Sequence, residues 1–458
     1  MAYIQSYRGQ TWLLPPSIED MIPEDHICFL VESLVESLDY REFDMKYAGA
    51  GHPAYHPRIL LKLLIMGVLD KVRSSCMLAR SARENIVYIY LSEKLTPDFR
   101  TISDFRKNNP ELIKEVFKHT VGFAKQEGLL DLSHLATDGS KVKANASNRR
   151  VMTKEELEAL LRFVEEELQE WTKQDTIEDK KFAEMRGFDQ LPKQSKKTIQ
   201  KAALYYIKRQ KEKGERFKAE IIETLQKAQE EIENEGLKKV NTTDPGSRFM
   251  KNKSGRIEFS YNSQVIVDKA GFILANDVCQ DAVDNRQLQP QVLETKDNIG
   301  ELFEETAWSF DSGYFEGSNI NFLTENKIDG YIPDNNAGKA TNEYDKKNFI
   351  YNEASNEYIC PENKRLIKMF PYEAERNAMA AKMKTPQAKG MYRLRQQIVE
   401  PVIGDIKENK GLRGFLTRGI RAVRAEFNIV CAAVNIKRIW LALQETTKGN
   451  SPILWQSA

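Results

Sequence analysis

Two aspartates in this chain close short apolar runs, in Leu135-Ala-Thr-Asp138-Gly-Ser and in Trp308-Ser-Phe-Asp311-Ser-Gly-Tyr. Such a run reads as a buried strand whose end meets solvent. Carboxylates at the ends of neighbouring strands suit magnesium, a hard cation that prefers oxygen ligands and keeps several waters. Taken singly, each Asp reads equally well as a turn former or a helix cap. A third acid, Glu400, stands in Gly390-Met-Tyr392-Arg393-Leu-Arg395-Gln-Gln-Ile-Val-Glu400-Pro-Val-Ile-Gly-Asp-Ile-Lys407. Lys407 follows it by two helical turns, which puts a carboxylate and a phosphate-binding cation on one face. Pro401 lacks a backbone donor and biases its predecessor away from helical geometry, which predicts that Glu400 sits at a helix start or a kink. Three further acids compete. Turn contexts account for Asp244 and Asp268, and a helix cap for Asp284.

Net charge over the 458 residues is only +1, but it is unevenly spread. Between Met391 and Arg424 eight basic side chains, among them Arg393, Arg395, Lys407, Lys410, Arg413 and Arg418, stand against three acids. A local basic surplus beside a lone glutamate suits a polyanion whose phosphates are held while a carboxylate does chemistry. The plainer reading of the same run is a solvated helix face.

The elements that must position these residues follow from periodicity. Up to residue 130 the pattern is helical: Pro57 opens a turn, and Leu60, Leu61, Leu64, Ile65 and Leu69 follow at helical spacing. Further helices are predicted over 75–84, 102–108 and 110–127, with Asp98 and Ser103 as caps. Arg73, Arg80, Arg83, Arg100, Arg106 and Lys107 would decorate a helix-turn-helix-like surface, or be ordinary surface cations. Strand 1 covers 135–138. Residues 152–236 turn Glu- and Lys-rich with apolar positions at helical spacing, and read as a long helical hairpin. Beyond the Asp244-Pro-Gly turn, 257–267 and 272–278 are strand-like, 286–295 helical, 306–310 a strand, 315–326 helical and 331–333 a strand. A hairpin-like stretch at 349–360 and C-terminal helices complete the chain.

Three antiparallel strands followed by a βαβ alternation predict an α/β fold with an RNase H-like mixed sheet in 131–151 and 237–445. A helical N-terminal domain (1–130), a helical insertion between strands 1 and 2 (152–236) and a tail (446–458) surround it. No apolar run approaches the roughly 18 residues of a membrane span; the longest, 59–69, contains Lys62. With no basic-then-apolar opening, the expected location is the cytoplasm. The five cysteines never fall as Cys-x2-Cys, which argues against a disulfide framework or zinc site. Of the five histidines, His52 and His56 sit four apart, but Pro53 and Pro57 disfavour one helical face for both.

Asp138-Gly-Ser-Lys-Val-Lys-Ala-Asn-Ala, Asp311-Ser-Gly-Tyr and Val-Glu400-Pro-Val-Ile-Gly-Asp-Ile-Lys407, with Gly-Leu-Arg413-Gly-Phe-Leu-Thr-Arg418-Gly behind, resemble the DDE transposases of bacterial insertion sequences. The likeness is to the insertion sequence 1182 type, within the group named for a Tyr-x2-Arg-x3-Glu-x6-Lys signature. Leu14-Pro-Pro-Ser, Ile22-Pro-Glu-Asp-His26 and Tyr261-Asn-Ser-Gln-Val-Ile-Val-Asp268 extend it over nearly the whole chain. Four residues rather than three separate Arg395 from Glu400, so Tyr392 and Arg395 fall one helical position from the signature, and Arg393 lies on the Glu400 face instead.

The resemblance implies that Asp138, Asp311 and Glu400 hold two Mg2+ ions, with Mn2+ as a substitute. It also implies that Tyr392, Arg393, Arg395, Lys407, Lys410, Arg413 and Arg418 bind DNA. The partners implied are double-stranded DNA, as terminal inverted repeats and target, and a second copy of the chain in a synaptic homodimer, with no membrane; the implied location is nucleoid-associated. An RNase H-like nuclease without strand transfer would share the acids, and a domesticated DNA-binding protein would have lost catalysis. A carboxylate-pair glycosidase is more distant, since its acids need no basic helix.

Overall fold

The computed structural model describes residues 17–47, 54–148, 150–173, 182, 185, 188–252, 255–300, 305–334, 348–352, 355, 357–366 and 372–447. Leu14-Pro-Pro-Ser, in its first three residues, His52 with Pro53, and nearly all of the 446–458 tail lie outside them. Before the first strand come α1 (Ile27–Glu36), α2 (Arg41–Tyr47), α3 (Pro57–Leu69), α4 (Ser75–Glu84), α5 (Ile86–Leu91), α6 (Phe99–Asn108) and α7 (Pro110–Gln126). His56 caps α3 by accepting the Arg58 backbone N–H at 3.2 Å, with Pro57 as the first helical residue. Apolar on almost every side, α3 is buried on almost every side. Its lysine, Lys62, has no exposed surface and is balanced by Glu36 at 2.9 Å and Glu93 at 3.2 Å.

Asp98 caps α6, accepting from the N–H groups of Arg100 and Thr101 at 2.7 and 2.8 Å, whereas Ser103 lies inside that helix. Two of the expected surface cations are not on the surface. Arg73 pairs with buried Glu426, and Arg106, itself buried, donates to the Arg73 carbonyl at 3.3 Å. The reason is tertiary: the C-terminal helix packs against these helices and supplies the acid.

The main sheet contains β1 (His134–Lys143) and, after β2 (Val151–Met152) and β3 (Val240–Asn241), the strands β4 (Arg248–Lys251), β5 (Ile257–Asp268), β6 (Ile273–Cys279), β7 (Ala307–Ser309) and β8 (Asp329–Tyr331). Across it the order is β6-β5-β1-β7-β8, with β4 also on β5. β6, β5 and β1 run antiparallel, while β1, β7 and β8 are parallel. Between the parallel strands lie α12 (Leu288–Ile299), before β7, and α13 (Gly317–Glu325), before β8. The short strands β9 (Ile350–Asn352), β10 (Glu357–Ile359) and β11 (Arg365–Leu366) form a separate antiparallel sheet.

β1 is longer than its apolar run. It continues through Asp138 to Lys143 because β5 pairs with it from Asp268 to Ser260. Asp138 is therefore within the strand, and what ends beside it is the parallel partner β7, last paired at Ala136 with Ser309. Across that step His134 Nε2 and Ser309 Oγ are 2.7 Å apart, and burial pushes the imidazole down to about 4.

Between β1 and β4 the chain forms a helical unit closed at its base by the β2–β3 pair. Thr153 and Glu156 form a capping box at the start of α8 (Lys154–Arg162), which runs through a π turn into α9 (Leu168–Thr172). α10 (Lys193–Lys213) and α11 (Glu215–Glu235) complete the unit. It has three limbs rather than the two of a hairpin, because the segment of α8 and α9 packs on both later helices. Its core, built from residues such as Leu160, Phe163, Ile199, Ile207 and Leu225, is distinct from that of the sheet.

α14 (Glu373–Lys382), α15 (Pro386–Gly404) and α16 (Ile420–Thr447) close the chain. α16 lies between α7 and α3 and the sheet, so that the N-terminal helices and the sheet share one hydrophobic core rather than two meeting at residue 130. Asn435 joins them: its amide accepts the Ile273 N–H and donates to the Ile273 carbonyl, both at 2.9 Å, which covers the β6 edge. No helix among the described residues is long and apolar enough to cross a membrane.

Two outcomes follow from this packing. Leu160→Ala should cost about 2–5 kcal/mol within the helical unit, and hydrogen exchange should quicken in α8–α11 while β1 and β5 keep their protection. His134 stays neutral in the fold, so its contribution is present above its ordinary pKa and lost as pH falls from about 6.5 towards about 4. His134→Gln should flatten the decline of the melting temperature over that window.

Candidate active site

Register brings the two aspartates together. Asp138 and Asp311 each lie two residues beyond the Ala136–Ser309 pairing of the parallel strands β1 and β7. Asp138 is buried, and its Oδ1 accepts the Gly139 N–H at 2.9 Å. Asp311 is more open; its Oδ1 accepts the Ser312 N–H at 2.7 Å and caps a short 3-10 turn, Ser312–Tyr314. Two carboxylates on adjacent strands repel one another unless a cation stands between them.

α15 supplies that cation. Thr385 caps it through the Ala388 N–H and Pro386 opens it, after which it crosses β1 and touches β5, β7 and β8. Arg395, buried on the sheet side, donates to the Thr137 carbonyl at 3.0 Å. One of its terminal nitrogens is 3.7 Å from Asp138 and the other 3.7 Å from Asp311. One turn earlier the Tyr392 hydroxyl donates to Asp311 at 3.4 Å, and burial raises its pKa.

Glu400 is on the exposed side of α15. Pro401 lies inside the helix, so Glu400 is not at a helix start; the start is set fifteen residues earlier by Thr385 and Pro386. The regular helix instead yields to a π turn over Asp405–Asn409, which contains Lys407 and loosens the two-turn relation to Glu400. Among the described residues no three Asp, Glu, His or Cys side chains are close enough to hold one metal ion. The structure thus joins Asp138 and Asp311 and leaves Glu400 outside their cluster.

A second polar layer lies beside the pair. Asp284 Oδ1 accepts from Lys141 Nζ at 3.1 Å, Asn262 Nδ2 at 2.6 Å and Gln264 Nε2 at 2.7 Å. It makes no side-chain cap, contrary to the helix-cap reading, because these three donors from β1 and β5 draw the carboxylate to the sheet. The Tyr314 hydroxyl donates to Gln264 Oε1, and burial, with Asp284, Asp138 and Asp311 nearby, holds that phenol well above its ordinary pKa. Beside this layer opens a cleft of about 540 Å³, lined by Lys141, Asp284, Ser312, Gly313, Glu316 and Arg376 among others. The sequence signal for the layer is Asn262 and Gln264, amides two apart on a buried strand, where apolar residues are the rule.

Residues 16–108 match a family described as Transposase domain (DUF772), and residues 357–440, which carry Arg395 and Glu400, match the Transposase DDE domain. These two domains make the chain a DNA transposase. No curated protein and no solved structure matches it. The DDE domain makes the transposase an enzyme of DNA cleavage and transfer, and implies DNA binding and a divalent metal. The donors present fit such an ion: both carboxylates are hard oxygen ligands, and a cationic group already stands between them.

The basic residues fall into two groups. Arg393, Arg413 and Arg418 are exposed, Arg413 paired with Glu408 at 2.5 Å and Arg418 donating to the Asn145 carbonyl at 3.1 Å, and Lys407 is half-buried. Lys410 is buried, and burial lowers it to about 8. Lys410 and Arg395 are therefore withdrawn from a phosphate approaching over the surface.

Gly139 tests how tightly the layer is built. A Cβ there would lie 2.5 Å from Gln264 Nε2 and 2.7 Å from Asp284 Oδ1, atoms already bonded to each other. Gly139→Ala should cost about 1–3 kcal/mol by overpacking and lower cleavage by shifting Asp138. Thermal unfolding and a cleavage assay read both effects; an unchanged melting temperature would show that the layer yields freely.

Proposed function

We propose that the transposase cuts and joins DNA at the terminal inverted repeats of an insertion sequence of the 1182 type. In this reading Asp138, Asp311 and Glu400 of an RNase H-like fold are the metal-holding acids. The observation that carries it is the pair of carboxylates on adjacent parallel strands around one buried guanidinium. The order β6-β5-β1-β7-β8, with antiparallel strands followed by parallel ones, supports the RNase H-like assignment. Glu400 lies on the helix that crosses this sheet and would join the two aspartates when metal and DNA are bound.

Two Mg2+ ions, or Mn2+ in their place, would activate the attacking hydroxyl and stabilise the leaving oxygen of an in-line displacement. Each step breaks one P–O bond and forms another, with water attacking in cleavage and a DNA 3′-hydroxyl in joining. Asp138 and Asp311 hold the cations, Arg395 limits repulsion between them, and Tyr392 orients Asp311. Arg393, Lys407, Arg413 and Arg418 contact phosphates, while the N-terminal helices read the repeats. A homodimer would bring two element ends together, and binding to chromosomal DNA would make the protein nucleoid-associated.

Asp311→Asn and Glu400→Gln, made separately, should retain binding to an end-containing duplex. Each should lower its Mg2+-dependent cleavage by more than the roughly 10- to 100-fold that loss of an outer-shell partner costs. Wild-type cleavage by Glu400→Gln would remove that residue from the site. Cleavage without joining to a target duplex would reassign the reaction to a nuclease.

A further inference from the structure

α10 carries a charge excess that the active site does not explain. Its 21 residues hold eight basic side chains and one acid, Glu212, which pairs with Arg209 at 3.0 Å. At 100° per residue Lys193, Lys197, Lys201, Lys208 and Lys211 fall on one narrow face, opposite the buried Ile199, Ala203, Tyr206 and Gln210. All five lysines are exposed. Lys193, Lys197, Lys201 and Lys208 form no ion pair among the described residues. Leu204 is exposed within the stripe, and at its margin the Arg150 guanidinium lies 4.0 Å from the ring centre of Tyr205.

Two solvated helix faces elsewhere in the chain carry balanced i,i+4 pairs, Lys227 with Glu223 on α11 and Arg80 with Glu84 on α4. On α10 the i,i+4 neighbours Lys193, Lys197 and Lys201 are like charges, which oppose helix formation. Lys193, Lys196 and Lys197 also stand near the positive end of the helix dipole, where cations are disfavoured. An arrangement that works against its own helix indicates a polyanionic partner to offset the repulsion.

We propose that this face of α10 is a second, sequence-independent contact for the duplex, gripping phosphates away from the catalytic carboxylates. The inference rests on the reading of the chain as a DNA-end transposase. From Lys193 to Lys208 the stripe spans about 22 Å, the length of roughly six base pairs. Lysines on flexible stems meet phosphates as point charges and read no bases.

The test is the full-length chain with Lys197→Gln, Lys201→Gln and Lys208→Gln combined, exchanges that keep helix propensity and remove repulsion. Binding to an end-containing and to a random duplex is measured over a salt series, beside the melting temperature and the mass in solution. The triple variant should melt no lower than wild type and lose up to ~2.7 units from the slope of log affinity against log salt on both duplexes. Lys227→Gln, on a balanced face, should keep the wild-type slope. If the triple variant melts early, the single exchanges replace it, each expected to remove ~0.9. An unchanged slope while wild type binds and cleaves overturns this inference alone, as does an unchanged slope with an altered mass, which would give the face to a second copy. Wild type that binds neither duplex would overturn the transposase mechanism as well.

Discussion

Two carboxylates with one guanidinium between them set the terms for the rest of this structure. Asp138 and Asp311 are brought side by side by parallel pairing, and the buried charge of Asp138 in particular is not tolerable without a partner. Arg395 can reach both only if α15 crosses the sheet at β1 and β7, with the helix in one rotational setting. Thr385 and Pro386 fix where that helix starts, and Ile398, Val399 and Val402 fix the face it lays on the sheet. Glu400 then falls on the exposed side, next to the basic segment and away from the paired acids.

The loop after α15 is held as firmly as the helix. The Phe415 N–H donates to the Lys143 carbonyl at the end of β1, and Asn145 donates to the Leu416 carbonyl. From α16 the buried carboxylate of Glu426 accepts the N–H groups of Leu416 and Thr417, and Arg73 from the N-terminal helices completes that cluster. The segment carrying Arg413 and Arg418 is thus tied at once to β1, the strand of Asp138, and to the N-terminal helices. The shared core behind it makes this a mechanical connection: α16 packs on α3 and α7 with one side and on β6 with another. The helical unit between β1 and β4 has a core of its own, so its surface can change with little effect on the carboxylates.

By itself the sequence determined a good deal. Apolar periodicity located α4 to the residue, β5 and β6 to within one residue at each end, and the strands β1 and β7 that position Asp138 and Asp311. Those features are local: a period of two or of 3.6 is written in neighbouring residues, and capping signals such as Asp98 stand next to the helix they start. What required tertiary structure was every role that depends on a partner distant in sequence. Arg395 is 257 positions from Asp138, and nothing near it in the chain marks it as a buried counter-ion rather than a phosphate contact. Arg73 and Arg106 look like surface cations until Glu426 is placed beside them. Asp284 has the local context of a cap, yet three donors from β1 and β5 claim its carboxylate. The physical reason is common to all of them. A charged side chain is assigned by the partner that offsets its desolvation, and only the packing of the sheet, α15 and α16 decides which partner that is.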